Sequence, residues 1–197
     1  MTKIFGIGAH KTGTSSLTKA LRVLGIPTSQ RADHEVSYED ICAGNFRLRA
    51  LKTNDAILDN PIPAFYKEFD KAFPNSKFIL TIREPESWFK SVEKHLNGRQ
   101  INQEEEFFYG KQKVERETFI KTVEAHNRAV KEYFKNRPND LLVLDIAAGE
   151  GWEKLCPFLN KPLPRGSFPH QGRGEFKWLL RKIKFLKKLI KKPSGEA

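Results

Sequence analysis

The residues Gly8-Ala9-His10-Lys11-Thr12-Gly13-Thr14-Ser15-Ser16 lie between an apolar run, Ile4-Phe5-Gly6-Ile7, and a helical pattern of Leu17, Leu21 and Leu24. No other feature constrains the fold as much. A strand that ends in a glycine-bracketed turn and enters a helix gathers several backbone N–H groups and the positive end of a helix dipole at one point. Such a point is an anion site, to which lysine and hydroxyl side chains add charge and donors. The common nucleotide-triphosphate loop reads G-x-x-x-x-G-K-[ST], with the lysine directly after the second glycine. Here Gly8 and Gly13 keep that separation, Thr14 takes the lysine position, and Lys11 stands two residues before Gly13. The displacement argues against a simple ATP or GTP hydrolase.

The apolar run at 3–8 has counterparts at 56–59, 77–82 and 141–146, all short and rich in Ile, Leu, Phe and Val. Helix-period segments separate them, at about 14–25, 63–72, 85–96 and 151–159. This alternation predicts an α/β layer with a buried parallel sheet of about four to five strands. With 197 residues the chain suits one such domain. Ligands of these sheets bind at the carboxyl ends of the strands. Residues 8–16, Asp59 and Arg83 each follow directly on a run. The long interval 97–140 is predicted as a helical insertion before the last strand, with one helix over Glu117 to Lys135. Phe119, Val123, His126 and Val130 share a face of that helix, which makes His126 a core-edge residue rather than a catalytic one. The segment Glu104-Glu105-Glu106-Phe107-Phe108-Tyr109 reads either as a lid over a substrate or as a solvated helix with an aromatic anchor.

The second anchor is Arg83-Glu84-Pro85-Glu86-Ser87-Trp88-Phe89-Lys90-Ser91, which starts where Lys77-Phe78-Ile79-Leu80-Thr81-Ile82 ends. Pro85 suits the first position of a helix. Arg83 presents a rigid fork for phosphate oxygens, and Ser91, two turns on, offers a hydroxyl to the same anion.

Together these residues resemble the sulfotransferases that use 3′-phosphoadenosine 5′-phosphosulfate (PAPS) as donor. In that family a K-[ST]-G-T-[ST] loop grips the 5′-phosphosulfate, and an Arg with a Ser eight positions later grips the 3′-phosphate. Lys11-Thr12-Gly13-Thr14-Ser15 and Arg83 with Ser91 match both. The likeness extends to Leu58-Asp59-Asn60-Pro61, to Ala72 through Leu80, and to Gly151 through Leu159, so that it covers roughly residues 3–170 and suits a compact, bacterial-type branch. It implies a three-layer, P-loop-kinase-like fold. It also implies donor contacts from Lys11, Thr12, Gly13, Thr14, Ser15, Ser16, Arg83 and Ser91, with adenosine 3′,5′-bisphosphate as product and no metal. Some relatives complete the 3′-phosphate site with a Gly-rich basic loop, a part for which Arg173-Gly174 is the candidate. Lys11 is expected to stabilise the leaving phosphate oxygen. The acceptor hydroxyl needs a base. Asp59 is the first candidate, against a competing reading in which it caps the turn at Asn60-Pro61, and His10 is the second. Nothing in the sequence brings His34 or His95 to the site. Asp145, the nearest analogue of a Walker-B aspartate, is a poor match because Ile146 follows it.

The net charge of +11 predicts an anionic ligand. Much of it lies in the segment 175–197, which holds eight Lys/Arg against Glu175 and Glu196. There Phe176, Leu179, Leu180, Ile183, Leu186, Leu189 and Ile190 recur at helical spacing. The tail, 171–197, is thus predicted as a basic amphipathic helix appended to a catalytic domain over 1–170. It either packs on that domain or contacts an anionic membrane through 175–192. Nucleic acid is disfavoured, since no aromatic platform or recognition motif accompanies the charge. Cys42 and Cys156 fit neither a disulfide framework nor a metal spacing, and no apolar segment reaches the roughly 20 residues of a membrane span. A cytoplasmic chain is expected, with membrane contact at most peripheral. The resemblance implies as acceptor a hydroxyl of a carbohydrate, glycolipid or small metabolite. Two alternatives remain at this level: a P-loop kinase for a small substrate, and a non-catalytic protein that binds anions or membranes on the same fold.

Overall fold

The computed structural model describes residues 2–30 and 38–170. Five parallel strands form one sheet in the order β2-β3-β1-β4-β5: β1 (Ile4–Gly6), β2 (Thr28–Gln30), β3 (Ala56–Leu58), β4 (Lys77–Thr81) and β5 (Leu141–Leu144). β1 is central, with Gly6 opposite Leu58 of β3 on one side and Ile79 of β4 on the other. Eight helices accompany the strands among the described residues: α1 (Thr14–Val23), α2 (Tyr38–Cys42), α3 (Ala50–Thr53), α4 (Tyr66–Ala72), α5 (Pro85–Leu96), α6 (Gln103–Tyr109), α7 (Arg116–Tyr133) and α8 (Trp152–Phe158). A 3₁₀ turn, Ile62–Phe65, leads into α4, where the sequence pattern suggested a single helix over 63–72.

Alternation along the strands divides the core into two layers. Phe5, Ile7, Phe78 and Leu80 face one side, where they pack with Phe69 of α4 and with Val130 and Phe134 at the end of α7. Ile4, Ile79, Leu58 and Leu144 face the other, against Leu17 and Leu21 of α1 and Trp152 and Leu155 of α8. The period of two is what buries both faces of a sheet whose helices lie on either side. A third cluster, built on Trp88, Phe89 and Val92 of α5, Tyr109 of α6 and Phe119 and Val123 of α7, sits at the loop that follows β1 and also buries Ala9. The insertion between β4 and β5 is therefore the floor beneath that loop.

The order of the strands reverses at β1. From β1 the chain goes out to the edge strand β2, returns to β3 beside β1, and then crosses to β4 and β5 on the other side. Such a switch point opens a crevice at the carboxyl end of the central strand.

Candidate functional site

Three segments meet at that crevice: the loop after β1, Asp59 after β3 and Arg83 after β4. The loop passes very close to β4. A Cβ on Gly8 would stand 2.1 Å from Thr81 Oγ1 and 2.4 Å from the Thr81 carbonyl oxygen, so only glycine fits. Gly13 takes φ 113° and caps α1 from a left-handed conformation that other residues rarely adopt. Lys11 itself has φ 66° and Asp59 φ 79°. The other described non-glycine residues at positive φ are Asn75, Asn97 and Asn160, the residue type that tolerates this region best. Lysine and aspartate have no such ease. Backbone strain of this kind concentrates at functional loops, where surrounding contacts hold it in place.

The Thr12 hydroxyl donates to the Ala9 carbonyl at 2.6 Å, and its oxygen lies 2.6 Å from Thr81 Oγ1. With the Thr12 proton already committed, Thr81 is the donor in the second bond. Thr12 is 2 % exposed. It therefore ties the loop to β4. Trp88 Nε1 donates to the His10 carbonyl at 2.9 Å, and the His10 ring is buried with Nδ1 3.1 Å from the Tyr109 hydroxyl. Burial pushes the imidazole down to about 4 against the opposing pull of the Glu105 carboxylate, with the positive charges of His95, Lys11 and Arg99 adding to the lowering, so the ring is neutral near pH 7. Its Nε2 is buried with no hydrogen-bond partner among the described residues.

The start of α1 is chemically bare. No side chain caps it and no acidic residue stands in its first turn. The hydroxyl of Ser15, an exposed residue, accepts from Gln30 Nε2 at 2.9 Å. That same nitrogen lies 3.4 Å from Asp59 Oδ2 and 3.5 Å from Thr14 Oγ1. Gln30 thus joins the donor loop to Asp59 from the last position of β2. Thr14 and Ser16 are buried at the base of the turn. Asp59 uses its other oxygen, Oδ1, to accept from the Asn60 N–H at 3.1 Å, so the turn-capping reading and a second role for Oδ2 are compatible.

Across the crevice, Arg83 is held on two sides. Its Nε and a terminal nitrogen donate to Ser87 Oγ at 3.0 and 2.7 Å, and its other terminal nitrogen reaches the Lys11 carbonyl at 3.4 Å. Ser87 occupies the helical turn nearest the guanidinium, while Ser91, expected to offer its hydroxyl to the same anion as Arg83, lies one turn further along the same helix and is half-buried. The Arg83–Lys11 contact links the two anchors.

Other sequence candidates fall elsewhere. His126 donates from Nε2 to the Ile7 carbonyl at 2.8 Å and packs edge-on against Tyr66, which is the core-edge role its helix face indicated. Asp145 Oδ1 accepts from the Ala148 N–H at 2.9 Å and caps a turn. His95 is exposed, with its ring 6.1 Å from that of His10. Segment 104–109 is a helix with a buried aromatic anchor, Tyr109, closed at its start by a capping box between Asn102 and Glu105. His34, Arg173 and the basic segment 175–192 lie outside the described residues. Among the described residues no group of His, Cys, Asp and Glu is arranged to hold a metal ion, and no helix is long and apolar enough to cross a membrane.

Similarity to known proteins runs along most of the chain. The profile of the sulfotransferase domain matches residues 3–108 and 99–176. The Ava biosynthesis cluster protein M of Aspergillus versicolor is 26 % identical over 211 residues, which span 85 % of this chain and 80 % of that protein. The crystal structure of a sulfotransferase from Alicyclobacillus acidocaldarius superposes with a TM-score of 0.55 at 16 % identity, over 93 % of this chain and 91 % of that one.

Proposed function

The chain belongs to the sulfotransferase domain family, and from that premise we propose that it transfers the sulfuryl group of PAPS to an acceptor hydroxyl by in-line displacement. One observation carries the reading. The bare start of α1, with Lys11 beside it, faces the crevice between Asp59 and Arg83. A helix end without a carboxylate of its own is suited to a phosphate, and a guanidinium on the opposite wall suits a second one. A donor with phosphate at both its 3′ and 5′ positions matches two such seats.

When bound, that donor supplies an activated sulfuryl group whose S–O bond to the 5′-phosphate breaks as the acceptor oxygen bonds to sulfur. The departing electron pair remains on the phosphate oxygen, and the proton of the acceptor hydroxyl goes to a base. Lys11 stabilises the charge that grows on the leaving oxygen. The start of α1, through Thr14, Ser15 and Ser16, seats the 5′-phosphate, and Arg83, braced by Ser87, seats the 3′-phosphate. Asp59 takes the acceptor proton on Oδ2, while Gln30 holds that carboxylate against the loop. His10, its ring buried and held by Tyr109, supports Lys11 from below rather than acting as the base. In the same reading, the basic segment 175–192 adds a peripheral contact with anionic membranes, which co-sedimentation with anionic vesicles tests by comparing the full chain with one ending at residue 170.

Calorimetric titration with adenosine 3′,5′-bisphosphate, 5′-AMP and ATP with Mg²⁺ tests the donor assignment. The bisphosphate is expected to bind without Mg²⁺ and at least about tenfold more tightly than 5′-AMP, because a second charge-assisted contact is made. Equal affinity for bisphosphate and monophosphate overturns it, and preference for ATP with Mg²⁺ favours a kinase.

A further inference from the structure

Lys11 stands at φ 66°, a conformation that persists only where its surroundings hold it. Successive carbonyl oxygens of the loop are held: that of Ala9 accepts from the Thr12 hydroxyl, that of His10 from Trp88 Nε1, and that of Lys11 from Arg83. These grips act on the backbone. Another takes hold of a side chain and comes from the insertion between β4 and β5, where the Tyr109 hydroxyl at the end of α6 lies 3.1 Å from His10 Nδ1.

Hydrogen-bond satisfaction decides which partner donates. Among the described residues the Tyr109 hydroxyl bonds to His10 alone, and His10 Nε2 is buried without a partner. If Nδ1 carried the imidazole proton and donated it, the phenol proton and the Nε2 lone pair would both be left unpaired. If the phenol donates, Nδ1 accepts, the imidazole proton sits on Nε2, and that N–H alone is unpaired. Each buried polar group without a partner costs stability, so the second arrangement is favoured. The surroundings suit it. Burial, then Glu105 and Asp59, push the phenol well above its usual range, so it keeps the proton it donates, and the neutral imidazole has a lone pair to receive it.

Tyr109 can hold a ring because its own ring is held. It stacks parallel on Phe119 of α7, with centroids 4.0 Å apart and planes 5° from one another. The other end of α6 is fixed by the capping box of Asn102 and Glu105, and Arg99 pairs with the buried Glu105 carboxylate at 2.6 Å. The consequence for the loop is geometric. Rotation about ψ of His10 turns its carbonyl relative to its side chain. With the carbonyl on Trp88 and the ring on Tyr109, both ends of that rotation are fixed, and the peptide joining His10 to Lys11 cannot tilt.

We propose that Tyr109 is a positioning residue for the transfer: its hydroxyl donates to His10 Nδ1, fixes the imidazole proton on Nε2, and through the His10–Lys11 peptide holds Lys11 at the leaving oxygen. The insertion is then a working part of the donor loop, reaching it through α6. An imidazole whose lone pair is engaged at Nδ1 and whose Nε2 carries a proton has no site left to take the acceptor proton, which leaves that part to Asp59. This inference rests on the proposed sulfuryl transfer and deepens it.

Nitrogen-15 NMR of the His10 ring in the unliganded protein tests the proton directly. At pH 7 the signals of the Nε2–H tautomer are expected, and those of the Nδ1–H tautomer or of the imidazolium overturn the proposal. Tyr109→Phe deletes the hydroxyl and keeps the stacked ring. In that variant the Trp88 indole N–H, bonded to the His10 carbonyl, is expected to exchange with solvent about five- to tenfold faster, the worth of one hydrogen bond. Single-turnover cleavage of PAPS, with water as acceptor, is expected to slow about tenfold or more as Lys11 loses its place. Calorimetry should find the affinity for adenosine 3′,5′-bisphosphate within about twofold of the parent's, because the lost interaction belongs to the transition state. His10→Asn puts an amide oxygen near the place of Nδ1 and is expected to regain most of the rate lost in His10→Ala, whereas His10→Gln, whose amide reaches toward the place of Nε2, is not. Unchanged cleavage in Tyr109→Phe, equal losses of rate and affinity, or equal rates in the Asn and Gln variants overturns the proposal. A parent that binds no bisphosphate removes the sulfuryl-transfer reading and this role with it, while the ring signals and the indole exchange still report whether Tyr109 holds His10.

Discussion

Two helices start at the carboxyl ends of adjacent strands, α1 after β1 and α5 after β4, and their first turns are completed in opposite ways. At α5 the Glu84 carboxylate accepts from the Glu86 and Ser87 N–H groups at 2.9 and 2.7 Å, and Pro85 fills the first helical position, where no N–H is needed. The helix supplies its own anion. At α1 the cap is Gly13, which has no side chain, and no carboxylate follows in the first turn. A helix that only needs to be stable closes its end as α5 does. A helix that leaves its end bare beside a lysine gives up that stabilisation, and the natural compensation is a bound phosphate. In the proposed function the two seats would thus work by different means: dipole, N–H groups and Lys11 on one side, the guanidinium of Arg83 on the other.

The sharpest way to break the comparison is at Lys11. Lys11→Ala is expected to lower kcat by about 10² to 10³, as loss of one charge-stabilising donor does in other transferring enzymes. Affinity for adenosine 3′,5′-bisphosphate should fall much less. If steady-state assays show KM rising and kcat held, Lys11 is a binding contact alone. The next effect in size belongs to the other seat. Arg83→Ala is expected to weaken binding of the bisphosphate by about 1.5–3 kcal/mol, the worth of a hydrogen bond to a charged group, while leaving 5′-AMP nearly unaffected. Equal loss for both ligands in calorimetry would place Arg83 at the 5′ seat or make it purely structural.

Acid should separate the two ends. His10 titrates at about 4 in the folded protein, chiefly because it is buried, against an ordinary value of 6.5. Between those values the unfolded chain binds the extra proton, so stability is complete above pH 6.5 and falls as the pH drops toward 4. Between pH 7 and 5 the loss is about 2 kcal/mol. Backbone hydrogen bonds from Ser87 and Glu86 hold Glu84 below its ordinary value of 4.5. Its contribution is therefore present above pH 4.5 and disappears only at lower pH, which places the failure of the α1 side first. Urea denaturation at pH 7 and 5 checks this. His10→Gln should flatten the dependence, and an equally steep slope in that variant would assign the loss to other groups.

The sequence made some of this legible and hid the rest for reasons that can be named. The loop, β4 and Arg83 were readable because glycine spacing, an apolar run and a Pro-led helix are local patterns. β2 was not, because Thr28-Ser29-Gln30 is a three-residue polar strand at the sheet edge, and a search for apolar runs passes over it. Gln30, which joins Ser15 to Asp59, was lost with it. A polar residue that ends a short strand beside the loop is the signal that would have found it. The contact of Arg83 with Ser87 went unread because attention to the spacing of eight passes over the residue one helical turn from the arginine. The contact of His10 with Tyr109 spans 99 residues and depends on how α6 returns under the loop, which no local pattern encodes.

The smallest expected effect gives α1 what α5 already has. Ser15 is exposed and stands in the first turn, where a carboxylate interacts favourably with the helix dipole. Ser15→Glu gives up the bond from Gln30 yet gains that interaction, so its stability should match or exceed the parent's by up to about 1 kcal/mol. Binding of adenosine 3′,5′-bisphosphate should weaken about tenfold, because the added charge competes for the same N–H groups and repels the 5′-phosphate. Thermal denaturation and calorimetry on one sample read the two changes together. Opposite signs are what a ligand seat requires, since filling it with a protein carboxylate serves the fold and harms the site. Unchanged affinity with a more stable helix would mean that the bare start of α1 is an ordinary glycine cap, with the donor held elsewhere.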